Sequence, residues 1–274
     1  MAITAACEQA TRIKNGNRDE RMKNFTNAIV RVPSNSCGNG LTTANLGRPN
    51  AEQTRTQFGH YINILSDLEL TVIVLPANPA FPDGHFVEDT AVVTPEFAII
   101  TRPGATSREG EVVTIEPVLA RYRRIERIRQ GHMDGGDVLM VGKRFFVGLS
   151  NRTDQAGIRE FTAIVEKYGY RVDVIEVMAG LHLKSIVNFV GRNTLLLDAD
   201  NAGHPAFADF DHIIVGQNEE YAGNTLWIND NLITPEGYPE TLAKLKQLGL
   251  KIITTPTSEF KKMDGGLTCL SLRF

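Results

Sequence analysis

Five short polar segments hold the side chains of this sequence best suited to chemistry. They centre on Asp89 (beside Glu88), Asp134, His182, Asn224 and Cys269. A thiol and an imidazole from different segments, brought together, form a nucleophile and acid/base pair. Two carboxylates beside a thiol are awkward for peptide hydrolysis, because nearby negative charge raises the thiol's pKa. They suit a cationic substrate. A guanidinium is planar and presents N–H donors in a fork that a carboxylate accepts at two points. Bound between Asp89 and Asp134, its central carbon is open to attack by the Cys269 sulfur, and its charge helps to stabilise the thiolate. His182 then protonates the departing amine and later activates water. This chemistry calls for no organic cofactor and no metal.

Such a site exists only if the five segments converge, and the elements around them say how. Each segment stands before a strand-like pair. Asp134-Gly135-Gly136-Asp137 precedes apolar runs at 138–141 and 144–147, joined by Gly142-Lys143. His182-Leu183-Lys184-Ser185 precedes runs at 186–190 and 194–197, and Asn224-Thr225 precedes runs at 226–228 and 232–234. Glu88-Asp89-Thr90 and Asp264 to Cys269 open the first and last units. The starts recur every 40 to 48 residues, a supersecondary period. Helices read at 50–68 (Phe58, Tyr61, Leu65), at 153–168 with Thr153 as N-cap and Gly169 as stop, and at 239–248 with Pro239 in the first turn. Strand runs follow them at 70–75, 171–177 and 251–255. The unit therefore reads strand, strand, helix, strand. The fifth unit lacks its second strand, and residues 27–32 supply it, which closes the ring. The expected fold is α/β: five units around an axis, a propeller-like α/β barrel with all five polar segments facing a central channel. A single Gly/Asp turn before a strand is common; five at one period, each carrying a reactive or charge-bearing residue, are not.

Composition narrows the partners. The chain has 274 residues, 42% hydrophobic and 22% charged, with net charge −3, which is ordinary globular composition. This offers no electrostatic footprint for nucleic acid or anionic membrane, and no apolar run reaches the ~18 residues of a membrane span. Cys7, Cys37 and Cys269 form neither a disulfide framework nor a zinc pattern, which points to a reducing compartment, the cytoplasm. Cys7 and Cys37 read as structural or exposed. His60, His85, His132, His204 and His212 show no ligand spacing. Patterned sequence begins at Phe25, so residues 1–23 read as a polar, mobile extension, Met22 as an alternative start, and 24–274 as one catalytic domain.

The sequence from 25 to 274 closely resembles the dimethylarginine dimethylaminohydrolases, members of the guanidine-modifying pentein superfamily. The resemblance is carried by Gly40-Leu41-Thr42-Thr43, Phe81-Pro82-Asp83, Phe86-Val87-Glu88-Asp89, residues 100–105, Leu181-His182-Leu183-Lys184, and Asp264-Gly265-Gly266 through to Phe274. It implies a five-bladed pentein-type α/β propeller. It implies Cys269 as nucleophile, His182 as acid/base and Asp134 as the acid that orients the histidine. Asp89 is implied to grip the guanidinium, with Asp83 and Glu88 as further substrate-contacting acids. Arg108 and Arg152 are implied to hold the substrate α-carboxylate, and Leu41 and Met263 to give backbone contacts to the α-amine. The implied reaction converts Nω-methylated or Nω,Nω-dimethylated L-arginine to L-citrulline plus methylamine or dimethylamine, through a covalent S-alkylthiouronium. The substrate is then the small-molecule partner, and a homodimer is an expectation of the resemblance alone. Some relatives carry Glu where Asp134 stands, and the shorter arm alters its reach to His182. Segment 36–48 reads as a lid made mobile by Gly38, Gly40 and Gly47. Zinc bridging Cys269 and His182 would be adventitious, with too few ligands for a structural site. The rival activities are arginine deimination, citrulline ureide hydrolysis, and non-catalytic binding of an arginine derivative. The first usually needs a helical insertion for which no interval here has room, and a binder needs neither Cys269 nor His182.

Overall fold

A computed structural model describes residues 25–178 and 180–274. The expectations for residues 1–23, Met22 and Cys7 fall outside that range. In chain order the strands are β1 (Asn27–Arg31), β2 (Thr71–Leu75), β3 (Ala91–Val93), β4 (Phe97–Ile100), β5 (Arg124–Arg127), β6 (Val138–Val141), β7 (Arg144–Leu149) and β8 (Arg171–Glu176). They continue with β9 (Val187–Phe189), β10 (Thr194–Leu197), β11 (Asp211–Ile214), β12 (Leu226–Ile228), β13 (Asn231–Pro235), β14 (Lys251–Thr255) and β15 (Leu272–Arg273). Hydrogen bonding sorts them into five three-stranded sheets: β3-β4-β5, β6-β7-β8, β9-β10-β11, β12-β13-β14 and β15-β1-β2. In each, an antiparallel pair is followed by a parallel third strand. The expected repeat is present, and β1 does complete the last unit. The ring is a set of separate blades rather than a hydrogen-bonded barrel, because among the described residues no strand of one sheet pairs with a strand of the next.

The sequence explains the layering of each blade. The middle strands β4 and β10 are buried at every residue, and their continuous apolar runs suit burial on both faces. The third strands are partly exposed. Crossovers cover them with α1 (Ala51–Asp67), α2 (Glu116–Leu119), α3 (Gln155–Val165) and α4 (Pro239–Leu245), while α5 (Ser258–Lys261) precedes the last unit. Asn50 caps α1 by accepting from the N–H groups of Glu52 and Gln53. The third unit has a single 3-10 turn, Pro205–Phe207, where a helix was expected; its connection carries Gly203 and Pro205 and no apolar 3.6-residue period. Hydrophobic clusters run between neighbouring blades. Val30, Phe58, Tyr61 and Leu65 pack with Leu226 and Ile233, and Phe97 and Ile99 pack with Phe145 and Phe161. Each fully buried side chain of this size contributes ~1.5–3 kcal/mol, so the blades are locked at fixed mutual angles. Among the described residues no helix is long and apolar enough to cross a membrane.

Candidate active site

The five polar segments take one local form. Each makes a short 3-10 turn just ahead of the innermost strand of its blade: Val87–Thr90, Gly135–Asp137, Leu183–Ser185, Glu220–Gly223 and Thr268–Leu270. Asp89 and Cys269 lie inside their turns, Asp134 and His182 are N-caps, and Asn224 is a C-cap. The turns crowd together, and glycine makes the crowding possible. A Cβ on Gly135 would lie 2.0 Å from the Glu88 carbonyl oxygen, and one on Gly136 would lie 2.7 Å from both Asp89 Oδ1 and His182 Nδ1.

Asp134 is completely buried and holds His182, with Oδ2 2.9 Å from Nε2. The shorter side chain therefore reaches the ring. Its other oxygen accepts the Gly104 N–H at 2.8 Å. Asp89 Oδ1 accepts the Gly136 N–H at 2.9 Å and lies 3.9 Å from His182 Nε2. Behind this pair sits Asp137, which sequence reading passed over. It accepts from Thr153 Oγ1 at 2.6 Å, Ser150 Oγ at 2.7 Å and the Leu183 N–H at 2.9 Å. Thr153 in turn accepts the Asp134 N–H. Thr153 is thus a brace of the site, not the expected helix cap; α3 is capped by Asp154, which accepts from Gly157. Asn224 is committed to the turn that carries the thiol. It donates to Thr268 Oγ1 and accepts from the Thr268 N–H. The Cys269 sulfur accepts the Gly266 N–H at 3.5 Å.

The charges set the protonation states. Burial works against a charged ring at His182, but Asp89, the Asp134 hydrogen bond and Asp137 outweigh it and hold the imidazole at about 9. Burial works against ionised Asp89 too, and His182⁺ with Arg108⁺ reverses that and holds it at about 2. The Cys269 thiol is pushed up to about 12 by burial and by the charges of Glu88 and Asp89, with the Gly266 N–H opposing them. At neutral pH this is a cationic imidazole, an ionised carboxylate and a neutral thiol.

Leu41, Asp83, Asp89, Arg108, Arg152, His182, Met263 and Cys269 line one pocket, with Asp134 immediately behind His182. Two of the candidate residues are engaged in ways the sequence did not reveal. Arg108 is buried with Nη1 2.5 Å from Asp89 Oδ2, and its Nε and Nη2 donate to the two oxygens of Glu111 at 3.0 and 2.8 Å. Glu88 turns away from this pocket into a larger cavity of about 130 Å³ along the channel, whose lining includes neither Cys269 nor His182. There it pairs with Lys184 at 2.6 Å and Arg273 at 2.9 Å, while its second oxygen has no hydrogen-bond partner. Lys184 carried no sequence signal beyond its neighbours, because its pairing with Glu88 across blades is set by the fold, and Glu111 carried none beyond its spacing of three from Arg108.

Segment 36–48 lies over the pocket. The Leu41 N–H donates to Asp83 Oδ2 at 3.0 Å, Thr42 Oγ1 donates to the Lys262 carbonyl, and Thr43 donates to Asp264 through its amide and hydroxyl. Gly40 is required by close approach, since a Cβ there would lie 2.1 Å from Asp83 Oδ1. Cys37, within this segment, is buried in the hydrophobic cluster that contains Phe58 and Phe260. Asp89, Asp134 and His182 are the one metal-competent cluster among the described residues. Their oxygens already accept from Gly136, Gly104 and Arg108, so the donor set suits an organic cation better than a metal ion.

Five α/β blades with a thiol, an imidazole and carboxylates on their axial turns define a class, the guanidine-modifying penteins. Residues 86–201 match the arginine deiminase family model. The chain is 40% identical, over 91% of its length and 100% of the relative's, to N(G),N(G)-dimethylarginine dimethylaminohydrolase of Pseudomonas aeruginosa. It is 33% identical to the Streptomyces coelicolor protein of the same name, over 90% of this chain and 96% of that one. A solved structure of the Pseudomonas protein, a cysteine-to-serine variant complexed with citrulline, superposes with a TM-score of 0.90 at 39% identity, covering 92% of this chain and all of that one. The chain belongs to the dimethylarginine dimethylaminohydrolase family.

Proposed function

We propose that the protein hydrolyses Nω-methylated and Nω,Nω-dimethylated L-arginine to L-citrulline and methylamine or dimethylamine. The observation that carries this reading is the axial arrangement: a carboxylate kept ionised, Asp89, beside a histidine that Asp89 and Asp134 keep cationic, with a neutral thiol on the neighbouring turn. The substrate guanidinium binds Asp89, and its positive charge stabilises the Cys269 thiolate, so that the thiol proton is lost to solvent. The sulfur attacks the central guanidinium carbon, and His182 gives its proton to the departing methylamine as the C–N bond breaks. The S-alkylthiouronium that remains is attacked by a water that His182 deprotonates. The C–S bond then breaks, returning the thiol and releasing citrulline. In this reading Arg152, with Arg108, receives the α-carboxylate. Asp83, Leu41 and Met263 receive the α-amine, and Glu88 acts from beneath the site. The enzyme works without cofactor, as a homodimer in the reducing cytoplasm; sedimentation of the purified protein and cell fractionation test those two points.

The deciding experiment is citrulline formation from Nω,Nω-dimethyl-L-arginine by wild type and by Cys269→Ser, with L-arginine and L-citrulline as rival substrates. Turnover of the methylated substrate, lost in the variant, is expected. Faster turnover of arginine would move the activity to deimination, and ammonia and ornithine from citrulline would move it to ureide hydrolysis.

A further inference from the structure

Arg108 stands where a substrate guanidinium would have to stand. Asp89 is the carboxylate assigned to the substrate cation, and its Oδ2 is already bound, at 2.5 Å, by the chain's own guanidinium. The pocket left around Cys269 and His182 measures about 20 Å³, room for roughly one water and far too little for an arginine side chain. Arg108 has other partners. Glu111, three residues on, holds Nε and Nη2 as a fork, Nη2 also donates to the Phe86 and Asp83 carbonyls at 3.0 and 3.4 Å, and Nη1 alone reaches Asp89. Giving up the Nη1 contact frees Asp89 Oδ2 and leaves the arginine its other acceptors.

We propose that Arg108 is a gate on the guanidinium subsite, released by the α-carboxylate of the incoming amino acid. This rests on the reading of Asp89 as the guanidinium-binding residue. The logic is ion exchange. A substrate that carries a guanidinium at one end and a carboxylate at the other replaces Arg108 on Asp89 and offers the freed Nη1 a new anion. A plain guanidine makes only the first exchange and leaves a desolvated cation short of a partner, which is costly in a buried site. Arg108 therefore selects free amino acids over decarboxylated or simple guanidines. It does so by withholding the subsite as well as by binding the carboxylate.

The test is calorimetric binding of methylguanidinium and of Nω-methyl-L-arginine to Cys269→Ser protein, with Arg108 present and with Arg108→Met. If the open state is populated at about a tenth, removing the plug tightens methylguanidinium about tenfold, while Nω-methylarginine weakens. An unchanged or weaker methylguanidinium affinity would overturn the gate, because an arginine that only binds carboxylate does not oppose a ligand lacking one. Arg108→Met leaves Asp89 and Glu111 uncompensated, so a second measurement avoids the substitution. In the Cys269→Ser protein with Arg108 intact, saturating glycine should tighten methylguanidinium several-fold by supplying the carboxylate separately; no synergy would overturn the proposal. Wild-type turnover of methylarginine is read in parallel. Turnover without either effect sinks the gate and keeps the activity, and either effect without turnover does the reverse.

Discussion

A thiol held at about 12 is protonated at neutral pH, so Cys269 becomes nucleophilic when a cation arrives next to it. This separates two alkylating reagents of similar size. A neutral haloacetamide should label Cys269 slowly at pH 7, and a cationic haloacetamidine at least roughly tenfold faster, since a planar amidinium takes the Asp89 position. Equal rates, followed by peptide mass mapping, would sink substrate-assisted ionisation; buried Cys37 serves as the internal control. His182 makes a prediction on the pH axis. Its folded value, about 9, lies above the ordinary 6.5, so its stabilising contribution is full below about pH 6.5 and is lost as pH rises through 9. Asp89, held at about 2, contributes above the usual carboxylate range and loses that contribution as pH falls through 2. As general acid, His182 should sustain kcat/KM up to about pH 9. Asp134→Asn should pull that alkaline limb downward and reduce kcat by roughly 10²–10⁴. A limb that does not move would argue against His182 as the acid.

The five 3-10 turns fix where these side chains sit, and their tolerances are small. Gly136 has no backbone strain to relieve, yet a methyl group there meets Asp89 and His182 at once. Gly136→Ala is expected to leave the fold intact by circular dichroism and to cut kcat by about 10²-fold, the scale of an ångström's misplacement of catalytic groups. Near-wild-type kcat would mean that the turns do not set the geometry. The turns were readable before the structure because they recur at one period and each holds a distinctive residue. The blade order followed from the same repeat, including the use of β1 by the last unit. What could not be read was the choice of partner among neighbours of similar chemistry. Thr153 and Asp154 are both competent helix caps, and only the packing of Asp137 behind His182 draws Thr153 into the site. Arg108 lies between Glu111, three residues away, and Asp89, nineteen away, and spacing cannot weigh those contacts. Glu88 follows the same rule, since its cations come from two other blades.

Across the whole molecule, that one carboxylate ties three blades together. Glu88 belongs to the first unit, Lys184 to the third and Arg273 to the last, and they meet between the pocket and the larger channel cavity. Glu88→Gln would leave buried Lys184 and part-buried Arg273 without their anion, a loss of roughly 3–5 kcal/mol by the usual scale for breaking a buried pair. A clear fall in Tm is expected by calorimetry, with activity lost only in proportion to unfolding if Glu88 acts on the substrate through the floor alone. An unchanged Tm would show the cluster to be energetically neutral.

The last blade is built from both ends of the described chain. The Thr26 and Asn27 N–H groups donate to the Phe274 carbonyl, and the Phe274 N–H donates to the Asn27 carbonyl. Residues 26 and 274 are therefore neighbours, and the connectivity is in effect a circle with a nick in it. The position of the nick is arbitrary with respect to the site, which draws one turn from each blade. A circularly permuted chain, joined across 25 and 274 and opened at the Asn229-Asp230 turn between β12 and β13, would keep all five turns on the axis and every inter-blade core in place.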